Sequence, residues 1–541
     1  MTNRSSFALA CASGILLGLS FPPLQFGLLA CVGLVPLFVL LDRVESYPRA
    51  LRYSYVVFLL FNLITLYWVG GFAHGKDAFL MLAGGALLIA HPVFFLVPIV
   101  AYFFVNKNLG VSIALISIPF IWVGFEWLHS LGEVGFPWLT LGNTQTYALE
   151  RIQFITFTGV YGISFWIVAL NAIVYFLYRK ISRREWKLIS SRSVVALIIL
   201  IVVTLIPGIH GRVALSTASP MNRPRVRVGI IQPNLDPWKK WQASAEGQIQ
   251  NYLQQSQELV GQKPELTIWP ETAIAFRILS GRYSDVFYQL RTGIDSLGSA
   301  LLTGFADMVF YDSLSAPAAS KIVRGTNAHY DDFNAMMLLE PRSEKVQKYA
   351  KIKLVPFGER VPYAEKLSFL AIAIKWDVGI SGWGTGRDTT VFVLDRQGSQ
   401  IPFSGMICYE SIYPDLVSAF VRKGAQFLVI ITNDSWWGNT SGAYQHKQCA
   451  VLRAIENRRA IARCANGGVS CLIDRFGRIS EERDLYTRAS IAGDVQLSTE
   501  KTFYSMYGDV FSQTCTAIGF LALSGAIVGR FKKNKSSGDK T

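Results

Sequence analysis

The chain has 541 residues, of which 51% are hydrophobic and only 16% are charged, and its formal net charge is +15. This composition is too apolar for one soluble globule of that length, so it excludes an ordinary soluble enzyme and predicts a membrane protein. The Lys and Arg residues do not alternate with aromatic residues on one soluble face, so we expect no nucleic-acid partner.

Long apolar runs fill the first two hundred or so residues, and one more lies near the end of the chain. A membrane-spanning helix needs about 20 mostly apolar residues. By that criterion the sequence predicts eight spans, near residues 6–22, 24–41, 54–73, 78–104, 110–128, 160–178, 193–210 and 510–529. The basic start resembles a signal peptide, but further spans follow at once, so we expect the first helix to be retained.

Lys and Arg gather after spans two, four, six and eight. Short loops rich in these residues remain in the cytoplasm, so the loop after span five and the region after span seven are predicted to lie outside. We therefore predict a transmembrane domain over residues 1–212, an extracytoplasmic domain over 225–500, an eighth span at 510–529 and a basic cytoplasmic tail at 530–541.

The region from about Arg225 alternates short β-rich runs with helical stretches, which predicts a layered α/β domain. It contains neither GxGxxG nor GxxxxGK[ST], so we expect no dinucleotide or nucleoside triphosphate. The seven cysteines show no CxxC pair and no histidine partners at metal spacing, so no metal site or other cofactor is predicted.

Cys408 is the first candidate for chemistry, because it follows the apolar run Ile401 to Ile407 and precedes a predicted helix, Ser411 to Val421. A thiol at such a turn lies near backbone N–H groups and the positive end of a helix dipole, and both favour the thiolate. The alternative is a small core residue, since free cysteine is among the most buried residue types.

Two further residues also lie at the ends of predicted strands. Glu271 ends the run LTIWPE, where desolvation would raise its pKa towards a value useful for a general base, although it could equally be a carboxylate at a helix start. Lys351 leaves a strand into a Pro/Gly turn, where its ammonium could stabilise an oxyanion; the alternative is an exposed edge-strand lysine, with Lys348 and Lys353 as local competitors.

Taken in order, WPET at Glu271, KxxLVPFGE from Lys351 to Glu359, and CYE at Cys408 resemble the Glu-Lys-Cys triad of the nitrilase superfamily. Over nearly its whole length the chain resembles the apolipoprotein N-acyltransferase family. The further motifs that carry this resemblance are GFPWLTLGNTQ (135–145), QPNLDPWKKW (232–241), TNDSWWG (432–438) and TFYSMYGD (502–509).

The resemblance implies an α-β-β-α sandwich on the periplasmic side of the bacterial cytoplasmic (inner) membrane. It also implies Glu271 as general base, Lys351 as stabiliser of the oxyanion and thiolate, and Cys408 as nucleophile. The positions that it implies to support the site or the substrate are Trp241, Glu359, Tyr409 and Glu410. A histidine is common in the superfamily at the position of Lys353, so the neighbour that orients Lys351 stays open.

The implied reaction moves an acyl chain from a phospholipid, typically phosphatidylethanolamine, to the N-terminal amine of a diacylglyceryl-cysteine in an apolipoprotein through a thioester on Cys408. Apolar loops at residues 368–383 and the pair Trp436 and Trp437 are expected either to form a lid at the membrane or simply to pack. Two other functions remain open: a membrane-tethered nitrilase-type amidase, with the same triad, and a transporter with an external binding domain.

Overall fold

The computed structural model describes residues 3–72, 77–183, 191–216, 223–239, 244–312, 314–317, 320–323, 325–363, 382–396 and 398–538. The first part of the chain is helical. Its α-helices are α1 (Asn3–Leu19), α2 (Ala30–Gly33), α3 (Val35–Leu41), α4 (Tyr47–Leu66), α5 (Ala78–Ala90), α6 (Leu96–Leu109), α7 (Val111–His129), α8 (Leu149–Ile152), α9 (Ile155–Thr158), α10 (Val160–Ser182) and α11 (Ser191–Ser216).

Six helical stretches in the described part of the chain are long and apolar enough to cross a membrane. They are Tyr47–Leu66, Ala78–Leu109, Val111–His129, Val160–Ser182, Val194–Ser216 and Val510–Asn534. The first two predicted spans are shorter: α1 has 17 residues, and Gly27–Leu41 is a broken apolar segment. Proline explains the break, since α3 has a proline in its first turn and proline cannot donate the backbone hydrogen bond that would continue the preceding helix.

Helix α1 nevertheless packs tightly into the bundle, against α4. A Cβ atom at Gly14 would lie 2.5 Å from the carbonyl oxygen of Val57, and one at Gly18 would lie 2.7 Å from Cβ of Ile64. Small residues four apart allow two helix backbones to approach closely, which is a common way for helices to associate in a membrane. The short first helix is therefore an integral part of the helical bundle.

The second part of the chain is a sandwich of two β-sheets. One has seven strands, in the order β13-β1-β2-β3-β5-β4 with β6 paired to β5, and the other has six, in the order β12-β11-β10-β9-β8-β7. The strands are β1 (Arg225–Gln232), β2 (Leu266–Ile268), β3 (Ala300–Tyr311), β4 (Lys321–Ile322), β5 (His329–Leu339), β6 (Val346–Ala350), β7 (Phe392–Arg396), β8 (Ser399–Ile407), β9 (Leu428–Thr432), β10 (Ile461–Ala465), β11 (Cys471–Ile473), β12 (Ile479–Ser480) and β13 (Ala489–Gln496).

Helices cover the outer face of each sheet. Helices α12 (Ala245–Gln257) and α13 (Ser284–Leu297) share a core with the seven-stranded sheet, while α14 (Pro414–Arg422) and α15 (Ser441–Asn457) pack against the other. The central strands of each sheet are parallel, and β9 is buried along its whole length, as expected of a strand covered on both faces. The predicted α-β-β-α sandwich is confirmed.

The sandwich is joined to the helical bundle through buried hydrogen bonds. Gln445 on α15 accepts hydrogen bonds from the indoles of Trp68 (3.2 Å) and Trp138 (2.8 Å), and it donates to the carbonyl oxygens of Pro22 (3.0 Å) and Thr65 (3.1 Å). After β13 the chain forms α16 (Phe503–Tyr507) and then α17 (Val510–Gly538), which returns to the bundle. The sandwich is therefore held directly on the helices.

Candidate active site

The three residues of the predicted triad each lie at or shortly after the end of a strand, and the structure brings them together inside the sandwich. Glu271 lies three residues beyond β2, Lys351 comes directly after β6, and Cys408 directly after β8. All three are buried, with exposed fractions of 6%, 1% and 8%. The Nζ atom of Lys351 lies 3.3 Å from Oε1 of Glu271, and the charges of both groups influence the pKa of the Cys408 thiol.

The backbone of Cys408 adopts a conformation that is rare for a side-chain-bearing residue, with φ of +52°. Its carbonyl oxygen accepts hydrogen bonds from Oγ of Ser411 (2.9 Å) and contacts Nε2 of His446 at 3.0 Å. The helix that we predicted from Ser411 begins later, because a single 3₁₀ turn, Cys408–Ile412, comes first and α14 starts at Pro414. The thiol therefore stands on a tight turn, not at the start of a full helix.

The surroundings of Cys408 favour the neutral thiol over the thiolate. Burial raises the pKa of the Cys408 thiol well above its usual value, and the negative charges of Glu271 and Asp434 add to this effect, while Lys351 and the Thr432 hydroxyl oppose it. The sequence had favoured a thiolate, but the desolvation of a fully enclosed sulfur outweighs the nearby cation. A base must therefore remove the thiol proton before the sulfur can attack.

Lys351 is held as a permanent ammonium ion by two carboxylates. Its Nζ donates to Oε1 of Glu359 at 2.8 Å as well as contacting Glu271. Burial alone would lower the pKa of Lys351, but the charges of Glu359 and Glu271 outweigh it and the pKa is raised. The other oxygen of Glu359 accepts from the backbone N–H of Val355 at 2.8 Å, so Glu359 is the neighbour that orients Lys351.

Glu271 is fixed at both of its oxygens. Its Oε1 accepts a hydrogen bond from Nδ2 of Asn334 at 2.8 Å, and its Oε2 accepts from the backbone N–H of Asn433 at 3.1 Å. The Nδ2 atom of Asn334 also lies 2.8 Å from Oε1 of Glu359, so one amide bridges both carboxylates. Sequence reasoning missed Asn334; the signal was a polar residue inside the otherwise apolar run FNAMMLL.

Glu410 is fully buried next to the site and accepts several hydrogen bonds there. Its carboxylate accepts hydrogen bonds from the backbone N–H groups of Ile407 (2.8 Å) and Ile352 (2.7 Å) and from the hydroxyl of Tyr349 (2.6 Å). Burial raises its pKa, and these donors act in the opposite direction. Glu410 thus joins the end of β8, where Cys408 lies, to the end of β6, where Lys351 lies.

Tyr409 faces the helical bundle. Its hydroxyl donates to the carbonyl oxygen of Gly135 at 3.1 Å, as does the hydroxyl of Tyr413 at 2.6 Å, and its ring stacks near that of Phe136 with the ring centres 6.4 Å apart. Gly135 and Phe136 begin the GFPWLTLGNTQ motif. The turn that carries the thiol is therefore anchored to a loop of the membrane part.

Trp241 is the last residue that was predicted to support the site, and the predicted lid includes Trp436 and Trp437. Trp241 and residues 368–381 of the predicted lid lie outside the described residues. Trp436 and Trp437 are half-buried: the ring centre of Trp436 is 5.2 Å from that of Trp238, and the ring centre of Trp437 is 4.7 Å from that of Trp68. These contacts correspond to the packing alternative for the pair.

Cys408, Asp434 and His446 place potential metal-ligand atoms within 4.8 Å of one another. In the structure, however, Nδ1 of His446 lies 2.9 Å from Oδ1 of Asp434, and the guanidinium of Arg463 donates to Oδ2 at 2.8 Å. Burial would raise the pKa of Asp434, but Arg463 and His446 hold it well below its usual range. A buried guanidinium already neutralises the carboxylate, so these residues do not fit a metal ion. Of these residues, His446 contacts Cys408 at its carbonyl oxygen.

Comparison with known proteins places both parts of the chain. Residues 13–173 match the model of the apolipoprotein N-acyltransferase N-terminal domain, and residues 227–503 match that of the carbon-nitrogen hydrolase domain. An amidase from Nesterenkonia sp. is among the similar solved structures, at 15% identity and a TM-score of 0.35, covering 55% of this chain and 96% of that one. The carbon-nitrogen hydrolase match covers about half of the chain, so this fold and site define a member of that class that also has helices long and apolar enough to cross a membrane.

Two relatives that match this chain over nearly its full length identify its family within this class. The apolipoprotein N-acyltransferase of Chlorobaculum tepidum is 38% identical over 532 residues, covering 96% of each chain, and that of Geobacter metallireducens is 33% identical over 519 residues, covering 95% of this chain and 94% of the relative. The chain belongs to the apolipoprotein N-acyltransferase family. This confirms the acyltransferase prediction over the alternative of a membrane-tethered amidase.

Proposed function

We propose that Glu271, Lys351 and Cys408 transfer an acyl chain from a phospholipid to the N-terminal amine of a diacylated apolipoprotein. The observation that carries this proposal is the convergence of a neutral thiol, a fixed carboxylate and a permanent ammonium ion in one buried site. Phosphatidylethanolamine is the proposed acyl donor, because the resemblance to the family implies it.

In the first half-reaction, Glu271 takes the thiol proton as the sulfur of Cys408 attacks the ester carbonyl carbon of the phospholipid. The carbonyl oxygen becomes an oxyanion, which the ammonium group of Lys351 stabilises. When the tetrahedral intermediate collapses, the C–O bond breaks, and Glu271 returns its proton to the departing oxygen. Lysophospholipid leaves and a thioester remains on Cys408.

In the second half-reaction, the amine of the apolipoprotein attacks the thioester carbon. Glu271 accepts a proton from the amine, and the C–S bond breaks as the amide forms, so that the proton returns to the sulfur. Lys351 stabilises the oxyanion as before. The overall change from ester to amide is downhill, so the sequence of steps needs no nucleotide.

Glu359, Asn334 and Glu410 are proposed to position the triad without reacting. Glu359 and Asn334 hold Lys351 and Glu271, and Glu410 holds the turn after Cys408. Trp241, Glu359, Tyr409 and Glu410 keep their proposed support of the site or the substrate. A fixed arrangement of this kind lowers the activation barrier because the reacting groups need no reorganisation during the reaction.

We further propose the domain organisation and orientation that the sequence predicts. The transmembrane domain covers residues 1–212, the catalytic domain covers 225–500 on the periplasmic side of the inner membrane, an eighth span covers 510–529, and 530–541 form a cytoplasmic tail. The positions of Lys and Arg in the short loops support this orientation. A catalytic sulfur at the membrane surface would meet both lipid substrates without extracting either of them from the bilayer.

The intact mass of the full-length protein after incubation with phosphatidylethanolamine tests the proposal. We expect a mass gain of one acyl chain that hydroxylamine removes, and no gain in Cys408→Ser. Cys449→Ser is the matched control, because Cys449 is also a buried free cysteine but lies on α15. Addition of a diacylated lipopeptide should discharge the adduct and yield an N-acylated peptide.

Two results would contradict the proposal. An unchanged mass together with release of lysophospholipid would mean that water receives the acyl chain, which is the amidase-like alternative. An adduct that persists in Cys408→Ser but disappears in Cys449→Ser would place the nucleophile elsewhere.

A further inference from the structure

A cavity lies between the sandwich and the helical bundle, apart from the triad. Its volume is about 540 Å³, and its walls include Trp127, Tyr161, Lys353, Leu416 and Gln513. Glu271, Lys351 and Cys408 are not among the residues that line it. The cavity therefore requires an explanation other than the acyl-transfer site.

Three membrane helices have their ends at this cavity. Helix α7 ends at His129, α10 begins at Val160 and α17 begins at Val510, and each is long and apolar enough to cross a membrane. The adjoining ends of three such helices mark the level at which the hydrocarbon gives way to the lipid headgroups. The aromatic residues in the wall, among them Trp127 and Tyr507, fit this interfacial level.

Lys353 supplies a cation to the wall without a close anionic partner. Its Nζ lies 4.8 Å from the ring centre of Tyr413, and no described carboxylate lies within ion-pair distance of it. Burial lowers the pKa of Lys353, while the charges of Asp415, Glu410 and Glu133 oppose this effect. A half-buried ammonium beside a cavity is stabilised when an anionic ligand accepts its hydrogen bonds.

The same cavity also contains carboxylates. Asp415 lies on α14 and pairs with Arg422 at 3.1 Å, and Asp509 accepts a hydrogen bond from the hydroxyl of Tyr504 at 2.7 Å. The two cations and two carboxylates balance in charge, so the cavity does not favour a purely anionic ligand. A ligand with both a negative and a positive group matches this lining better.

Exposed apolar side chains surround the cavity on the membrane side. Leu128 and Leu131 lie at the end of α7, and Met506 and Val510 lie around the start of α17; all four are exposed. Leu131 and Met506 line the cavity itself. A polar interior with an apolar margin at the membrane surface suits a molecule that has a polar head and hydrocarbon chains.

We propose that this cavity binds the headgroup of a zwitterionic phospholipid. The phosphate group contacts Lys353, the amine faces Asp415 and Asp509, and the acyl chains extend over the exposed apolar residues. The site is distinct from the one that presents a phospholipid to Cys408, and its occupancy does not depend on acyl transfer.

Native mass spectrometry of the full-length protein, released from nanodiscs of equal parts phosphatidylethanolamine and phosphatidylglycerol, tests this proposal. We expect retained phosphatidylethanolamine to exceed phosphatidylglycerol, and Lys353→Gln to reduce that retention about tenfold through loss of a charge-assisted contact. Lys353→Arg should keep most of it. Lys348→Gln is the matched control, since that lysine pairs with Asp307 and does not line the cavity.

The outcomes separate this inference from the acyl transfer. In Cys408→Ser, which cannot turn the lipid over, the additional change Lys353→Gln should still lower retention about tenfold; unchanged retention in that double variant would place the lipid at the acyl-transfer site and overturn the inference. Equal retention in Lys353→Gln and the unchanged protein, with both folded to the same melting temperature, would also overturn it. Soluble phosphoethanolamine or inorganic phosphate that displaces the lipid completely would identify a free-anion site instead.

Discussion

The backbone carbonyl oxygen of Cys408 is contacted by two side chains, and the Cys408 side chain itself is buried. Ser411 and His446 both contact this oxygen, and His446 is held in turn by Asp434 and Arg463. These contacts restrict the turn from which the sulfur projects, whose backbone has a positive φ. At the scale of single residues, we therefore expect the reactivity of the thiol to depend on side chains that bind its backbone.

Substituting His446 by Gln or by Asn tests the contacts of its two ring nitrogens separately. The amide nitrogen of Gln can take the place of Nε2, next to the carbonyl of Cys408, whereas that of Asn takes the place of Nδ1, next to Asp434. We expect His446→Gln to form the acyl adduct within about threefold of the normal rate and His446→Asn to be slower by about tenfold, since one hydrogen bond is worth about 1 kcal/mol or somewhat more.

The measurement is the rate of adduct formation at saturating phospholipid, together with the melting temperature of each variant. A fall in the rate constant with an unchanged KM would agree with a positioning role. Equal rates in both variants would show that the contact with Cys408 is unimportant.

At the scale of elements, α15 connects the two parts of the molecule. Its residue Gln445 meets the indoles of Trp68 and Trp138 and the carbonyl oxygens of Pro22 and Thr65, and its residue Glu456 accepts from the backbone N–H of Val160 at 2.8 Å. One helix of the sandwich thus satisfies polar groups of several membrane segments. Residues of α15 therefore contribute both to the core of the sandwich and to its contact with the helical bundle.

Gln445→Leu should destabilise the protein. The change leaves buried donors and acceptors of the bundle without partners, and each such group costs about 1–3 kcal/mol. We expect a clear fall in the melting temperature of the full-length protein in detergent. Gln250→Leu on the exposed face of α12 is the control, and it should leave the melting temperature nearly unchanged. A Gln445→Leu protein as stable as this control would contradict the assigned contacts.

Glu456 should make the stability of the protein depend on pH. Burial raises the pKa of Glu456 to about 7 from an ordinary value of 4.5, although Arg453 and the N–H of Val160 oppose the shift. Between these two values the folded protein binds the proton and the unfolded chain releases it, so the free energy of unfolding falls as the pH rises through this window. The total change is about 3 kcal/mol for a shift of this size.

The check is a comparison of melting temperatures from pH 4.5 to 7.5 in the unchanged protein and in Glu456→Gln. The amide cannot titrate but keeps an oxygen for the N–H of Val160, so the variant should show a flatter dependence. A dependence that is the same in both proteins would assign it to other groups.

At the scale of the whole molecule, the proposed orientation places the sandwich outside the cytoplasm. Ser280 is exposed on the sandwich and Lys532 is exposed near the end of α17, so a cysteine introduced at either position is accessible to a reagent. A membrane-impermeant maleimide should label Ser280→Cys in right-side-out vesicles and Lys532→Cys only in inverted ones. The unchanged protein provides the background, and the reverse pattern would contradict the orientation.

The sequence predicted most of this architecture because its signals are local. Glu271 and Cys408 follow apolar strands, Lys351 follows the mixed strand β6, and apolar runs mark the membrane helices. Asn334 and His446 were missed because their partners lie on other elements, 25 to 63 and 12 to 38 residues away along the chain. The desolvation that raises the pKa of the Cys408 thiol is likewise not visible in a local pattern.

The carboxylate of Glu410 has a consequence for any attempt to shorten the protein. It ties the end of β8 in one sheet to the end of β6 in the other, so the spacing between lysine and cysteine is set entirely within the sandwich. The hydroxyls of Tyr409 and Tyr413, in contrast, depend on Gly135 of the membrane part. A sandwich separated from its helices would keep the spacing between Lys351 and Cys408. It would lose the hydrogen bonds from Tyr409 and Tyr413 to Gly135, which hold the turn after Cys408, and it would lose its contact with the lipid.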